Sequence, residues 1–291
     1  MMMFKTVADL LKLTKLENIS IAEIMIQQEI IATESSREEV INRMKKKLII
    51  MENAISQGLV GVKSITGLTG GDGLLMKQYI ENKKGLSGDV ILNAVAKAVA
   101  TNEVNAAMGI ICANPTAGSA GTVPGVLFAV KEKLQATEEQ MLEFLFTAAA
   151  FGIVTANNAS ISGAAGGCQA EVGTASGMAA AGAVAMAGGT PEQCATAFSI
   201  ALKNLLGLVC DPVAGLVEVP CVKRNAGGAS NALIAADMSL AGIISVIPCD
   251  EVIDAMYRVG QMMPSALRET AEGGLAATPT ARKLEAQIFQ K

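Results

Sequence analysis

The chain has 291 residues, 51% of them hydrophobic but only 3% aromatic, with 17% charged and a formal net charge of −4. That length can bury a sizeable core without disulfide staples, and an acidic balance without aromatic and basic interleaving argues against nucleic acid as a partner. Histidine is absent, which removes from this chain the commonest general base, the commonest zinc ligand and every Ser–His or Cys–His pair.

With so few aromatics the core must be filled by Ala, Leu, Ile, Val and Met, a composition that favours closely packed helices. The expectation is an all-α fold, one large domain over 1–291, with 1–60 as an N-terminal helical scaffold and glycine-rich loops carrying the site. The opening MMMFKTVADLLKL carries charge at Lys5, Asp9 and Lys12, so no secretory signal is expected. Six cysteines in such a chain then point to free thiols in a reducing cytoplasm.

The first part of the chain predicts two amphipathic helices, each opened by a capping box, Ser20 with Glu23 and Ser36 with Glu39. The glycine-rich stretch 61–73, GVKSITGLTGGDG, follows. It lacks the ending of a phosphate-binding P-loop. Lys63, Ser64, Thr66, Thr69 and Asp72 nevertheless gather polar groups on a backbone able to approach a ligand, the alternative being a surface turn. An Ala- and Val-rich helix then leads to CANPTAGSAGTVPG at 112–125. Here Asn114, Thr116, Ser119 and Thr122 stand among small residues before a helix expected from about Val123 to Lys133. Backbone N–H groups at such a start suit a carboxylate or phosphate.

A capping box of Thr137 with Gln140 opens the next helix, which runs into NNASISGAAGGCQAEVG and delivers Cys168 in a glycine-flanked loop. Gly173, Gly177 and Ala181, spaced by four, let the following helix press its backbone on its neighbours. Thr190–Pro191–Glu192–Gln193 is the strongest helix start in the chain, with Gly207 as its expected stop. A further helix is expected over about 228–246, another after Pro248, and two short ones before the end. The uncharged stretches 104–130 and 144–170 are broken by NPTAGSAG and NNASISGAAGG, which lipid would not tolerate as exposed backbone, so no membrane partner is expected.

Cys210 and Cys221 bracket CDPVAGLVEVPC, a loop stiffened by two prolines. Cys194 falls inside a helix and reads as a small buried hydrophobe, and Cys112 and Cys249 also read as structural. Zinc usually takes four ligands with a CxxC-like pair, which the chain lacks. An iron–sulfur cluster is held by cysteines, normally four, so ligation by Cys168, Cys210 and Cys221 alone would leave one iron open as a Lewis acid. Three buried structural cysteines remain the alternative on spacing alone.

GGCQAEVG around Cys168, CDPVAGLVEVPC with the KRNA that follows it, and NPTAGSAGTVPG at 114–125 resemble the α subunit of the bacterial iron–sulfur-dependent L-serine dehydratases, over most of the chain. The resemblance implies a [4Fe–4S] cluster on Cys168, Cys210 and Cys221, an all-helical catalytic domain, and conversion of L-serine to pyruvate and ammonia. It also implies a separate β subunit, expected to contribute to the site because this chain has no imidazole. The serine hydroxyl is a poor leaving group, which an open iron would polarise. The substrate carboxylate is expected on Asn114, Thr116, Ser119 and the backbone near Gly118 and Gly121, with Ser64 and Thr66 as further contacts. Lys63 is this chain's own candidate base. No pyridoxal phosphate is required, since no lysine with a phosphate cup stands out. A related lyase acting on L-cysteine is the nearest alternative, and an electron-transfer iron–sulfur protein is one of another class.

Overall fold

Helices begin in this chain where a side-chain oxygen receives the orphan N–H groups of the first turn. Thr6, Ser20, Ser36, Thr137 and Thr190 do this for α1 (Val7–Glu17), α2 (Ile21–Thr33), α3 (Arg37–Leu59), α7 (Glu138–Asn158) and α10 (Pro191–Asn204). The computed structural model describes residues 3–82 and 85–289; the first two and last two residues of the expected 1–291 domain, and Lys83 and Lys84, lie outside these. Among the described residues the named elements are all helical, apart from isolated β-bridges between Lys63 and Gly70 and between Cys210 and Arg268, as the all-α expectation requires. No helix of the described residues is long and apolar enough to cross a membrane.

The N-terminal scaffold holds three helices, not two. The additional one is α1, whose Thr6 and Asp9 form a complete capping box. At α2 the expected box is half made: Ser20 accepts from the Glu23 N–H, but the Glu23 carboxylate is held by the Arg37 guanidinium at 2.7 and 2.8 Å. That fork-to-carboxylate pairing outcompetes the single bond back to Ser20 N–H.

The centre is built on α5 (Asp89–Ala106) and α9 (Thr174–Met186). α9 is buried along nearly its whole length, between α6 (Thr122–Leu134), α7, α10 and α11 (Cys221–Leu240). Its small residues explain why: a Cβ at Gly177 would stand 2.7 Å from the Phe198 ring and one at Gly182 would stand 2.8 Å from Phe144. The helix axes approach closely because those positions carry no side chain, and Phe151 stacks on Phe198 with ring centroids 5.0 Å apart. α5 is enclosed by α3, α4 (Asp72–Glu81), α6 and α11. α8 (Gly163–Gly166), α12 (Cys249–Met262) and α13 (Pro279–Phe289) complete the helices.

α11 corrects the expected 228–246 helix. It starts seven residues earlier, at Cys221, and ends at Leu240. Gly227 and Gly228 lower helix propensity, but Gly228 lets α11 lie against Val172 and Thr122, where a Cβ would come within 2.7 Å of Val172 Cγ1. Tertiary contact therefore carries the helix through both glycines to the thiol of Cys221.

Candidate active site

Of the three cysteines expected in loops, only Cys210 lies in one. Cys168 opens a turn of π-helix, Gln169–Gly173, that runs into α9, and Cys221 is the first residue of α11. The Cys168 turn is pinned by Gln169, whose buried amide accepts from Gly207 N–H at 2.8 Å and donates to the Met256 carbonyl at 2.9 Å. Cys210 is fixed through its own backbone: its N–H donates to Leu267 O at 2.8 Å and its carbonyl accepts from Glu269 N–H at 2.7 Å.

These constraints bring ligand atoms of Cys168, Glu171 and Cys210 within 4.8 Å of one another. Cys221 stands outside that set but close enough for its thiol to feel the charges of Cys168 and Glu171. A Cβ at Gly163 would lie 2.8 Å from Glu171 Oε2 and 2.9 Å from Cys210 Sγ, so glycine there leaves space around the donors. Hydrogen bonding from Cys210, with help from the Arg224 guanidinium, holds the Cys168 thiol below its ordinary range. The same bond and burial push Cys210 up. Burial and then the Cys168 charge push Cys221 up to about 12. Burial likewise raises Glu171, against the hydrogen bond it receives from Thr116. Buried thiols and a carboxylate converging in this way could hold a metal.

Two side chains of α11 tie the neighbourhood together. Arg224 donates to Val209 O at 2.7 Å and pairs with Asp211 Oδ1 at 2.7 Å. Asn225, fully buried, accepts from the N–H groups of Gly121 and Thr122 at 3.0 and 3.1 Å and donates to Gly118 O and Cys221 O at 2.8 and 3.0 Å. It thereby caps α6 from another helix. The Gly121 N–H, expected to face a substrate carboxylate, is already taken, and Gly121 instead gives α6 its close approach to α5, where a Cβ would be 2.1 Å from Ala98 O.

The two glycine-rich loops meet here. Thr116 Oγ1 donates to Glu171 at 2.8 Å and lies 3.1 Å from Ser119 Oγ, which in turn donates to Asn114 O at 3.1 Å. Asn114 donates to Cys112 O at 3.1 Å. Gly118 lies against the Glu171 carboxylate, 3.2 Å from where its Cβ would be. Ser64 is buried and folds its own hairpin by accepting from Gly67 and Thr69 N–H groups at 3.2 and 3.3 Å. Thr66 donates to the buried Glu218 at 2.8 Å. Lys63 is exposed, its amine about 4.0 Å from the position of a Gly67 Cβ. Between the loops opens a cavity of about 440 Å³, lined by Ile65, Thr66, Asn105, Ala117, Leu216 and Glu218 among others. A cavity of about 490 Å³ between α1, α7 and α10 contains Cys194 but gathers no comparable set of donors.

The family model of the serine dehydratase alpha chain matches residues 16–276. The chain belongs to the serine dehydratase alpha-chain family. It is 69% identical over 287 residues to the probable L-serine dehydratase alpha chain of Bacillus subtilis, covering 99% of this chain and 96% of that one. To the L-serine dehydratase alpha chain of Peptoniphilus asaccharolyticus it is 40% identical over 291 residues, 99% of each. The L-serine dehydratase of Streptomyces coelicolor is 36% identical over 282 residues, covering 94% of this chain but 60% of the relative. This alpha chain is thus an enzyme of the lyase class.

Within the alpha chain, sequence reasoning passed over Gln169, Glu171, Asp211, Glu218, Arg224 and Asn225 as site residues. The signals were spacing along helices: Glu171 is three positions from Cys168, and Arg224 and Asn225 are three and four from Cys221, distances that put side chains on one helix face. Cys194 and Cys249 are buried away from the cluster of donors, and burial pushes each thiol up to about 12.

Proposed function

We propose that this chain is the catalytic α subunit of a cytoplasmic L-serine dehydratase, with a [4Fe–4S] cluster held by Cys168, Cys210 and Cys221 and a β subunit as partner. The observation that carries the reading is the convergence of buried Cys168 and Cys210 sulfurs around space kept open at Gly163, in a member of this family. That donor set fits the group, since thiolates are the ligands such clusters take. When bound, the cluster supplies a Lewis-acidic iron towards the serine hydroxyl.

The chain's own residues orient the substrate. Asn114, Thr116 and Gly118 would receive the carboxylate, with Thr66 at the cavity between the loops, while the buried Ser119 and Ser64 act through the hydrogen bonds that hold those loops. Thr116 joins the cavity to the sulfurs: its neighbour Ala117 lines the cavity, and its hydroxyl binds Glu171 beside the cysteines. Their internal hydrogen bonds keep these groups ordered before substrate arrives, which lowers the entropy lost on binding. The Cα proton passes to Lys63 or to a side chain of the β subunit. The enamine released then hydrolyses to pyruvate and ammonia.

The test is anaerobic reconstitution with iron and sulfide, alone and with the β subunit, followed by pyruvate formation from L-serine and sulfide release from L-cysteine. Cys168→Ala, Cys210→Ala and Cys221→Ala should each lose iron and activity, whereas Cys194→Ala should keep both. Full iron content in the first three variants would rule the ligand set out. Lys63→Met, assayed with the β subunit, assigns the base: loss of turnover with cluster intact gives the role to Lys63, and full activity gives it to the partner.

A further inference from the structure

We propose that Arg224 is the positioning residue that locks the three cysteines into one ligand geometry, and that its charge sets the electrostatic environment of the group they hold. The inference rests on the ligand set proposed above. Val209 and Asp211 flank Cys210, and the two ends of the guanidinium bind them both, at 2.7 Å each. Arg224 stands one helical turn beyond Cys221, on the same face of α11. The guanidinium charge is also felt at the sulfur of Cys168. One side chain therefore reaches the surroundings of all three thiols.

Its anchor does not yield easily. Asp211 accepts from Leu275 N–H at 2.6 Å through its other oxygen, and a Cβ at Gly274 would stand 2.3 Å from that oxygen. The pair is poorly exposed, with 16% of the Arg224 side chain and 3% of Asp211 accessible. Burying two charges carries a desolvation penalty that their attraction often only balances, so fold stability is a weak reason for placing them here. Holding a loop cysteine in register while presenting a cation to thiolates is a better one. Lysine would keep the charge but has no planar fork to span Val209 and Asp211.

The experiment uses enzyme reconstituted anaerobically with its β subunit, as wild type, Arg224→Lys, Arg224→Met, Asp211→Asn and Cys210→Ala. Iron retained under chelator challenge, the thermal midpoint and the cluster reduction potential are measured for each. Arg224→Lys should hold iron ~10–100-fold less tightly, the usual loss when a group orienting metal ligands is removed, while its potential stays at the wild-type value. Arg224→Met should lose iron as readily, and its remaining cluster should titrate at a more negative potential, because the more negative reduced state has lost a neighbouring cation. Asp211→Asn, which removes the opposing charge, should shift the potential the other way. A merely structural pair would not produce these opposite signs. Wild-type retention and potential in both Arg224 variants, with Cys210→Ala empty of iron, would overturn the positioning role and leave the ligand set standing. A fully loaded Cys210→Ala would instead overturn the ligand set. If the Arg224 variants fail to fold, Asp211→Asn decides, and an unchanged potential counts against the proposal.

Discussion

The helical interior around α7, α9 and α10 and the sulfur-bearing end of α9 and α11 use glycine for opposite purposes. In the interior Gly177 and Gly182 make room for the carbon rings of Phe198 and Phe144. At the sulfur end Gly163 and Gly118 make room for the Glu171 carboxylate and the Cys210 thiol. The cysteines divide the same way. Cys194 and Cys249 sit in apolar packing with thiols pushed up to about 12 by burial, a setting that makes sulfur inert. Cys168 is just as buried, yet Cys210 and Arg224 hold its thiol below the ordinary range. Cys221, a proposed ligand, is pushed up to about 12 as well, so what sets the proposed ligands apart is not burial but the charged company of Glu171 and, for Cys168 and Cys221, of Arg224.

Substituting across that divide sharpens it. Gly177→Ala should cost ~1–3 kcal/mol of stability, as overpacking a tight core does, and leave iron per folded molecule unchanged in a denaturant titration paired with iron analysis. Gly163→Ala should do the reverse, lowering iron content with a smaller shift in the denaturation midpoint. Equal stability losses in the two variants would break the comparison. A smaller effect is expected at Thr116→Val, which deprives Glu171 of its donor. Losing one hydrogen bond, typically worth ~0.5–1.5 kcal/mol, should lower the unfolding midpoint only slightly and raise the KM for L-serine several-fold. The smallest is Thr190→Ala, which removes the cap of α10 at ~1 kcal/mol, visible in thermal unfolding and absent from kcat and iron content.

The helices were legible wherever a cap and an apolar period agreed, as at Ser36, Thr137 and Thr190. α1 carries the same signal in Thr6 and Asp9. α11 was misplaced because propensity is local, whereas the contact of Gly228 with Val172 and Thr122 is not. The site divides similarly. Cysteines in punctuated segments stood out because their chemistry is uncommon and their neighbours are small. Glu218 did not, because a buried polar residue is recognisable only once its partner, here Thr66, is known in space, and for Asn225 the spacing from Cys221 gives the helix face but not its bonds to Gly118 and Gly121.

The backbone pairing of Cys210 bears on how the protein is made. Both its N–H and its carbonyl are satisfied by Leu267 and Glu269, and its neighbour Asp211 by Leu275. Until the ribosome has released those residues, the Cys210 segment has no partner for its main chain and no fixed direction for its thiol. The cysteines are thus arranged in full only once residues 267–275 have joined the fold, which ties any loading of the site to a chain folded that far.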